Sequence, residues 1–304
     1  MKKSLLALAL VAMSQSALAE KAKETRSTNE VIASASADDW RSIPQERLLY
    51  LNLADKRQVI FELAPEFAPK SVEQIQFLAK NKFWDDLEIY RMQDNYVVQF
   101  GDAAAVHNPE KAKKLPEGHQ QPPAEFERDL EGLKVSWLED KDPWSEGVGF
   151  VDGFAVAKGE GKAWLAHCYG ALGVGRDMAP DSGTGAELYV VIGQSPRYLD
   201  RNITLAGRVV YGMEHLSALK RGGGSDGGYA GFYQDPSEYT KIESIRVGNE
   251  VPEAEQLKLE TMKTDSEVFK AMVETRRNRT GDWFVRQVGY TDVCNIAVPV
   301  RVAQ

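Results

Sequence analysis

Apolar and polar residues alternate weakly from Arg47 to Leu53 and clearly through Arg57-Gln58-Val59-Ile60-Phe61-Glu62-Leu63, with Ala54-Asp55-Lys56 between the two runs. A period of two broken by a short polar corner predicts a β-hairpin. The period then changes. From Pro69 to about Lys80, Val72, Ile75, Leu78 and Ala79 recur at helical spacing, and Pro69 suits a first helical turn, where its missing N–H costs nothing. Ile89 to Asp102 returns to strand, turn and strand: Ile89, Met92, Tyr96 and Val98 flank a polar Asp94-Asn95 corner, and Gly101-Asp102 closes the run. Two polar residues stand out in it. Arg91 and Gln99 lie eight apart across the turn, so a hairpin return places them side by side on one sheet face. Composition alone favours a surface hairpin carrying two solvated side chains.

Further on, strand-like runs at Gly170–Arg176, Asp181–Gly193, Leu205–Met213 and Tyr239–Val247 are separated by turns, and a second helix is predicted to open after Gly212 and run to about Leu219. Thr264-Asp265-Ser266-Glu267 has capping-box spacing and opens a helix with Val268, Phe269, Met272 and Val273 on one side and arginines near its end. A strand is predicted around Asp292 to Arg301. Residues 20–44 are mostly small and polar and are expected to form a flexible segment.

The first nineteen residues change the picture of where the chain works. Lys2-Lys3, an apolar run from Leu5 to Met13 and a Ser16-Ala17-Leu18-Ala19 ending predict a signal peptide cleaved after Ala19. The apolar run is too short to span a bilayer. The expected protein is therefore exported, into the periplasm of a Gram-negative bacterium, with secretion to the medium as the alternative, and with no membrane insertion. Loss of the two signal lysines takes the formal net charge from −8 to −10, and an acidic chain without a basic patch is a poor partner for nucleic acid. Cys168 and Cys294 both lie in the exported part. An oxidising compartment permits a disulfide between them, and two buried free thiols are the alternative that spacing leaves open.

Familiar catalytic patterns are missing. The glycines at 170–175 and 222–228 lack the Lys-Ser/Thr and the strand–glycine–helix context of a phosphate loop, and His107, His119, His167 and His215 show no ligand spacing. His167 beside Cys168 is adjacency in sequence, which does not bring side chains together. No cofactor or metal is expected.

Arg91, Tyr96, Gln99, Gly101 and Asp102 fall in register with the signature of the cyclophilin family of peptidyl-prolyl isomerases, aromatic-x-Arg-(x)4-aromatic-x-x-Gln-x-Gly-Asp, with Tyr90 directly before the arginine and Ile89 at the place of the first aromatic. Other segments resemble the family in the same order: Phe61-Glu62-Leu63 with Ala68-Pro69, Pro123-Ala124-Glu125-Phe126, Gly170 to Arg176, Asp181 to Gly193, Arg197-Tyr198-Leu199-Asp200 and Leu205 to Met213. The resemblance covers about residues 45–248 and implies a mainly β fold: a closed antiparallel eight-stranded barrel capped by two helices. An insertion at about 133–167 separates two family segments, and residues 249–304 form a C-terminal extension expected to pack on the barrel. Trp137, Trp144, Phe150, Phe154 and Trp164 suggest that the insertion is an extra hairpin or lid with a local aromatic core.

The resemblance implies an enzyme that twists X–Pro bonds in segments of unfolded or exported proteins. Arg91 and Gln99 would be catalytic, Arg91 stabilising the twisted amide and Gln99 bracing it. Tyr96, Val97, Leu188 and Tyr189 would line a proline pocket that Leu199 closes, with Gly175, Arg176, Glu187 and Tyr198 at further substrate-binding positions. The family's tryptophan is Tyr198 here, its paired phenylalanines are Leu188-Tyr189, its glutamine is Glu187, its pocket histidine is Ile203 and its alanine-asparagine pair is Gly175-Arg176. The alternative is a non-catalytic client-binding or chaperone module on the same barrel.

Overall fold

The computed structural model describes residues 26–223, 230–279 and 283–303, so the predicted signal peptide and most of the glycine run at 222–228 lie outside the described residues. In chain order, helix α1 (Thr28–Ala33) and strand β1 (Trp40–Ser42) precede the predicted hairpin, β2 (Leu48–Leu53) and β3 (Gln58–Leu63). Helix α2 (Pro69–Lys80) follows, then β4 (Glu88–Met92), β5 (Val97–Gly101) and the short helix α3 (Ala103–His107). The inserted region supplies β6 (Arg128–Asp129), β7 (Ser136–Trp137), β8 (Gly147–Val151), β9 (Phe154–Gly159) and β10 (Lys162–Leu165). The chain returns through β11 (Ala171–Val174), β12 (Leu188–Val191), β13 (Leu205–Tyr211), helix α4 (Met213–Ser217) and β14 (Thr240–Val247). It ends with β15 (Leu259–Met262), helix α5 (Glu267–Arg277) and β16 (Val300–Val302).

Eight strands close into an antiparallel barrel in the order β11-β12-β5-β4-β14-β2-β3-β13. Alternation decides which side chains fill it. Leu49, Leu51 and Leu53 of β2 and Val59, Phe61 and Leu63 of β3 point inward to a core shared with Phe100, Leu188 and Ile245. Leu48, Tyr50 and Ile60 point outward, yet they are also fully buried, because Ile43 and Leu259 cover them. Helix α2 closes one end with Val72, Ile75, Leu78 and Ala79, the face its period predicts.

The insertion is larger than a hairpin. Strands β6-β10-β9-β8-β7 form a five-stranded sheet with two apolar faces. Val151, Phe154, Val156, Ala163 and Leu165 pack on the barrel, against Ala171, Tyr189 and Leu205. Val148, Phe150, Ala157 and Trp164 pack on the other side against Phe269, Met272 and Val273 of α5. The sheet is thus sandwiched between barrel and extension, with Phe150, Phe154 and Trp164 in its cores and Trp137 and Trp144 exposed.

The expectation of a flexible segment at 20–44 is corrected over its described part. Ser27 and Glu30 make a reciprocal capping box that starts α1, and β1 pairs with β15 in the three-stranded sheet β1-β15-β16. Val31 and Trp40 bury themselves among Met262, Phe269 and Val293, more than 220 residues away, which is why local composition gives no sign of it. Glu62 inside the barrel wall ties the parts together: the guanidinium groups of Arg41 and Arg208 both pair with it. At the other end, α5 is capped by Ser266, whose hydroxyl accepts the Phe269 N–H at 3.1 Å, two residues beyond the predicted Thr264. The strand expected from Asp292 is short, because Val293–Asn295 turns as a 3-10 helix first.

Cys168 and Cys294 form a disulfide, which joins the end of the insertion to the extension.

Candidate active site

Strands β4 and β5 place Arg91 opposite Gln99, as the eight-residue spacing requires. Three of the five guanidinium N–H groups are engaged. Nη1 donates to Gln99 Oε1 at 3.2 Å, Nη2 to Gln93 Oε1 at 2.6 Å and Nε to the Ala230 carbonyl at 3.0 Å. Among the described residues this leaves one N–H on each terminal nitrogen for a substrate. The Phe232 ring lies 4.9 Å from the guanidinium carbon and the Tyr96 ring 5.9 Å, so the cation is held between aromatic faces. Burial lowers the Arg91 pKa, though an arginine so placed remains a cation.

Gln99 is oriented by a chain of donors. Its Nε2 donates to the Tyr90 hydroxyl at 2.7 Å, and that hydroxyl donates to Glu187 Oε2 at 2.5 Å. Because a guanidinium can only donate, Gln99 must turn its carbonyl toward Arg91, which leaves its NH2 for the Tyr90 oxygen. Glu187 Oε1 accepts the Asp102 N–H at 2.9 Å, and Asp102 in turn caps α3 by accepting from Ala104 N–H at 2.9 Å. The signature glycine makes room for this carboxyl: Gly101 has φ +152°, and a Cβ there would run into the Glu187 side chain.

Burial pushes the Glu187 pKa up to about 8, against the pull of the Tyr90 and Asp102 hydrogen bonds, with the Asp102 and Glu88 carboxylates adding to the rise. A folded-state pKa above the ordinary carboxylate value means that stability is full below pH ~4.5 and is lost as pH rises through about 8. We expect the wild type to lose about 2 kcal/mol between pH 6 and pH 9 that Glu187→Gln retains, since a tenfold difference in proton affinity between the folded and unfolded chain corresponds to about 1.4 kcal/mol. Urea unfolding across this range measures it; parallel curves for the two proteins would refute it.

A cleft of about 510 Å³ opens beside Arg91. Its walls include Arg91, Tyr96, Val97, Gln99, Gly175, Arg176, Glu187, Tyr189 and Leu199, nine of the eleven site residues expected from the sequence. Leu188 is the correction. Its side chain is fully buried in the barrel core, because neighbours on a strand point to opposite faces and Tyr189 takes the outward one. Tyr198 is more than half exposed and sits outside the cleft; burial, together with a hydrogen bond to Tyr198, pushes the Tyr96 hydroxyl up to about 12. Ile203 lines the cleft at the position where the family's histidine would stand.

Three contributors, Gln93, Ala230 and Phe232, are not among the site residues expected from the sequence. Phe232 and Ala230 come from the segment after the glycine run, and no local pattern marks them as reaching Arg91. Tyr90, beside Arg91 in sequence, carries no signal of its own there, although its hydroxyl accepts from Gln99. Below the cleft, the Tyr189 ring lies over Gly173, so close that a Cβ there would overlap it. Among the described residues, no group of three or more His, Cys, Asp or Glu side chains could hold a metal ion.

A cationic donor preorganised at the edge of a cleft stabilises charge that develops on a bound amide, and it does so without a nucleophile. The model of the family "Cyclophilin type peptidyl-prolyl cis-trans isomerase/CLD" matches residues 48–247. The crystal structure of a cyclophilin from Hirschia baltica is similar over 92% of this chain and 99% of its own, with a TM-score of 0.68 at 22% identity, a likeness of fold. A cyclophilin type peptidyl-prolyl cis-trans isomerase of Cryptosporidium parvum, crystallised in the presence of the dipeptide ala-pro, aligns over 66% of this chain and 98% of its own at 12% identity and a TM-score of 0.41. No curated protein sequence matches the chain. With the signature strand, the closed barrel and a family match over 200 residues in agreement, this chain belongs to the cyclophilin-type peptidyl-prolyl cis-trans isomerases.

Proposed function

We propose that this isomerase acts on proline-containing segments of exported proteins as they fold, and that Arg91 is the residue that stabilises the twisted amide. The observation that carries the assignment is the Arg91 guanidinium, which lines the cleft, is held on three sides and, among the described residues, has two N–H groups left over. Rotation about an X–Pro bond meets a barrier of about 18–20 kcal/mol because it breaks amide resonance. As resonance is lost, the prolyl nitrogen becomes pyramidal and basic. A desolvated guanidinium bonds that nitrogen more strongly than the planar amide, and only such a difference accelerates the reaction. Tyr96, Val97, Tyr189 and Leu199 offer the proline ring an apolar seat, and Gln99 keeps Arg91 aimed.

Work outside the cytoplasm is supported by the signal-peptide pattern at residues 2–19 and by the Cys168–Cys294 disulfide, a bond that persists in oxidising compartments. The test pairs two assays. Isomerisation of a short X–Pro peptide, followed by NMR exchange, should be accelerated by the wild type. Refolding of an exported protein limited by a prolyl bond should be accelerated too. Acceleration of the peptide without the protein would refute the folding role; acceleration of neither would leave a client-binding module on this barrel.

A further inference from the structure

Tyr189 places the face of a phenol on the cleft, and its hydroxyl lies buried behind it. A buried hydroxyl left without a partner is destabilising, because it has given up its bonds to water. Here the partner comes from outside the barrel. His167, two residues beyond the last inserted strand, brings Nε2 to 3.0 Å from the Tyr189 oxygen, with the two rings nearly parallel at 11°. The imidazole is itself held. Its Nδ1 lies 2.8 Å from Asp200 Oδ1, and its backbone N–H donates to the same oxygen at 3.0 Å. This pattern assigns the Nδ1–H tautomer, which leaves Nε2 to accept the Tyr189 O–H.

Asp200 is anchored in turn. Its Oδ2 accepts from Arg197 Nε at 2.6 Å and from Trp164 Nε1 of β10 at 3.2 Å, while the Arg197 terminal nitrogens reach Asp142 at 3.0 and 3.1 Å. Burial alone would raise the Asp200 carboxyl, but the His167 hydrogen bond and the Arg197 guanidinium outweigh it and hold it below the ordinary range. The order Tyr–His–Asp is that of a nucleophile with its base, yet it does no such work: Tyr189 is 6% exposed and His167 1%, so no reagent reaches the hydroxyl. What the chain of bonds does is clamp a ring, with bare Gly173 backbone against it and His167 at its oxygen.

We propose that His167 is a positioning residue for the isomerisation, fixing through the Tyr189 hydroxyl the ring that floors the proline pocket, and that the inserted sheet is the element that delivers it. The inference rests on the cleft being the proline site. It gives the insertion a part in catalysis that neither touches substrate nor covers the cleft.

The test is a double-mutant cycle of His167→Ala and Tyr189→Phe, with kcat and KM measured separately on a short X–Pro peptide. A loosened floor weakens binding of the planar and twisted forms alike, so each single variant should raise KM about 5- to 10-fold with kcat within about two-fold. Because both cut the same bond, the double variant should be no worse than the worse single one, whereas independent effects would multiply to about 25- to 100-fold. Multiplying effects, or an unchanged KM in a folded His167→Ala protein, would overturn the proposal, since a merely structural histidine moves the melting temperature and not KM. Should His167→Ala fail to fold, His167→Asn runs the same cycle: it keeps a donor toward Asp200 and has no atom at the Nε2 position. Arg91→Ala measured alongside separates the two levels. Activity that survives it removes the cleft as the site, while activity that vanishes with an additive cycle removes only the positioning role.

Discussion

Replacing Arg91 with alanine should lower kcat/KM for a short X–Pro peptide by about 10²- to 10³-fold, the loss typical of removing one preorganised donor from a transition state. The melting temperature should barely move. Among the described residues Arg91 contributes no carboxylate salt bridge, and its partners there are two glutamine side chains and one carbonyl, Gln93, Gln99 and Ala230. Tyr96 and Phe232 would lose a cation from their faces but keep their apolar neighbours. The loss should fall in kcat, because the bond to the prolyl nitrogen forms only as the amide twists. Arg91→Lys should rescue little, since a point charge cannot hold Gln93, Gln99 and the substrate at once. A folded Arg91→Ala protein with wild-type kcat would refute the assignment of this residue and leave the family membership intact.

Removing the disulfide should cost more stability than any other single change considered. Cys168 and Cys294 close a loop of 126 residues, and the chain-entropy account gives about 4–5 kcal/mol for a loop of that size. The bond lies where barrel, insertion and extension meet, next to His167, so the parts it joins are the two sides of the core that holds Phe150, Trp164 and Phe269. Cys168→Ser and Cys294→Ser should each show the loss in urea unfolding, and reductant should bring the wild type to the same midpoint without further weakening either variant. A wild-type midpoint indifferent to reductant would refute the prediction. The two predictions are independent in sign: one removes activity with stability kept, the other removes stability first.

Much of the barrel is legible because its signals are local. The period of two in residues 57–63, the period of 3.6 in 69–80 and the polar corner at Asp94-Asn95 each specify an element from a few neighbours. Spacing across that corner also brings Arg91 and Gln99 together. The resemblance supplies the closed topology, since the pairing of β11 with β13 and of β14 with β4 joins segments that no local pattern relates.

Other features are decided only in three dimensions. Leu188 and Tyr189 are equivalent as apolar neighbours in sequence; the register of β12 against β5 sends one into the core and the other to the cleft. The segment around Val31 and Trp40 has too few apolar residues to predict a fold, and it orders because α5 and β15, far along the chain, offer it a surface to bury. Ser27 and Glu30 carry a readable capping box, but a helix of six residues depends on the packing that α5 provides. His167 carries no ligand spacing and no motif, and its place under Tyr189 depends on a five-stranded sheet folding between barrel and extension.

The sequence by itself determined the strands, the capping helix and the arginine–glutamine pair, because these follow from side-chain periodicity and spacing over a few residues. The tertiary structure decided which apolar faces are covered, which cysteines meet and what holds the floor of the cleft. Those outcomes depend on burial between segments that no local pattern relates, from the 22 residues between His167 and Tyr189 to the 126 between the cysteines, and burial is a property of the assembled surface that no stretch of sequence carries alone.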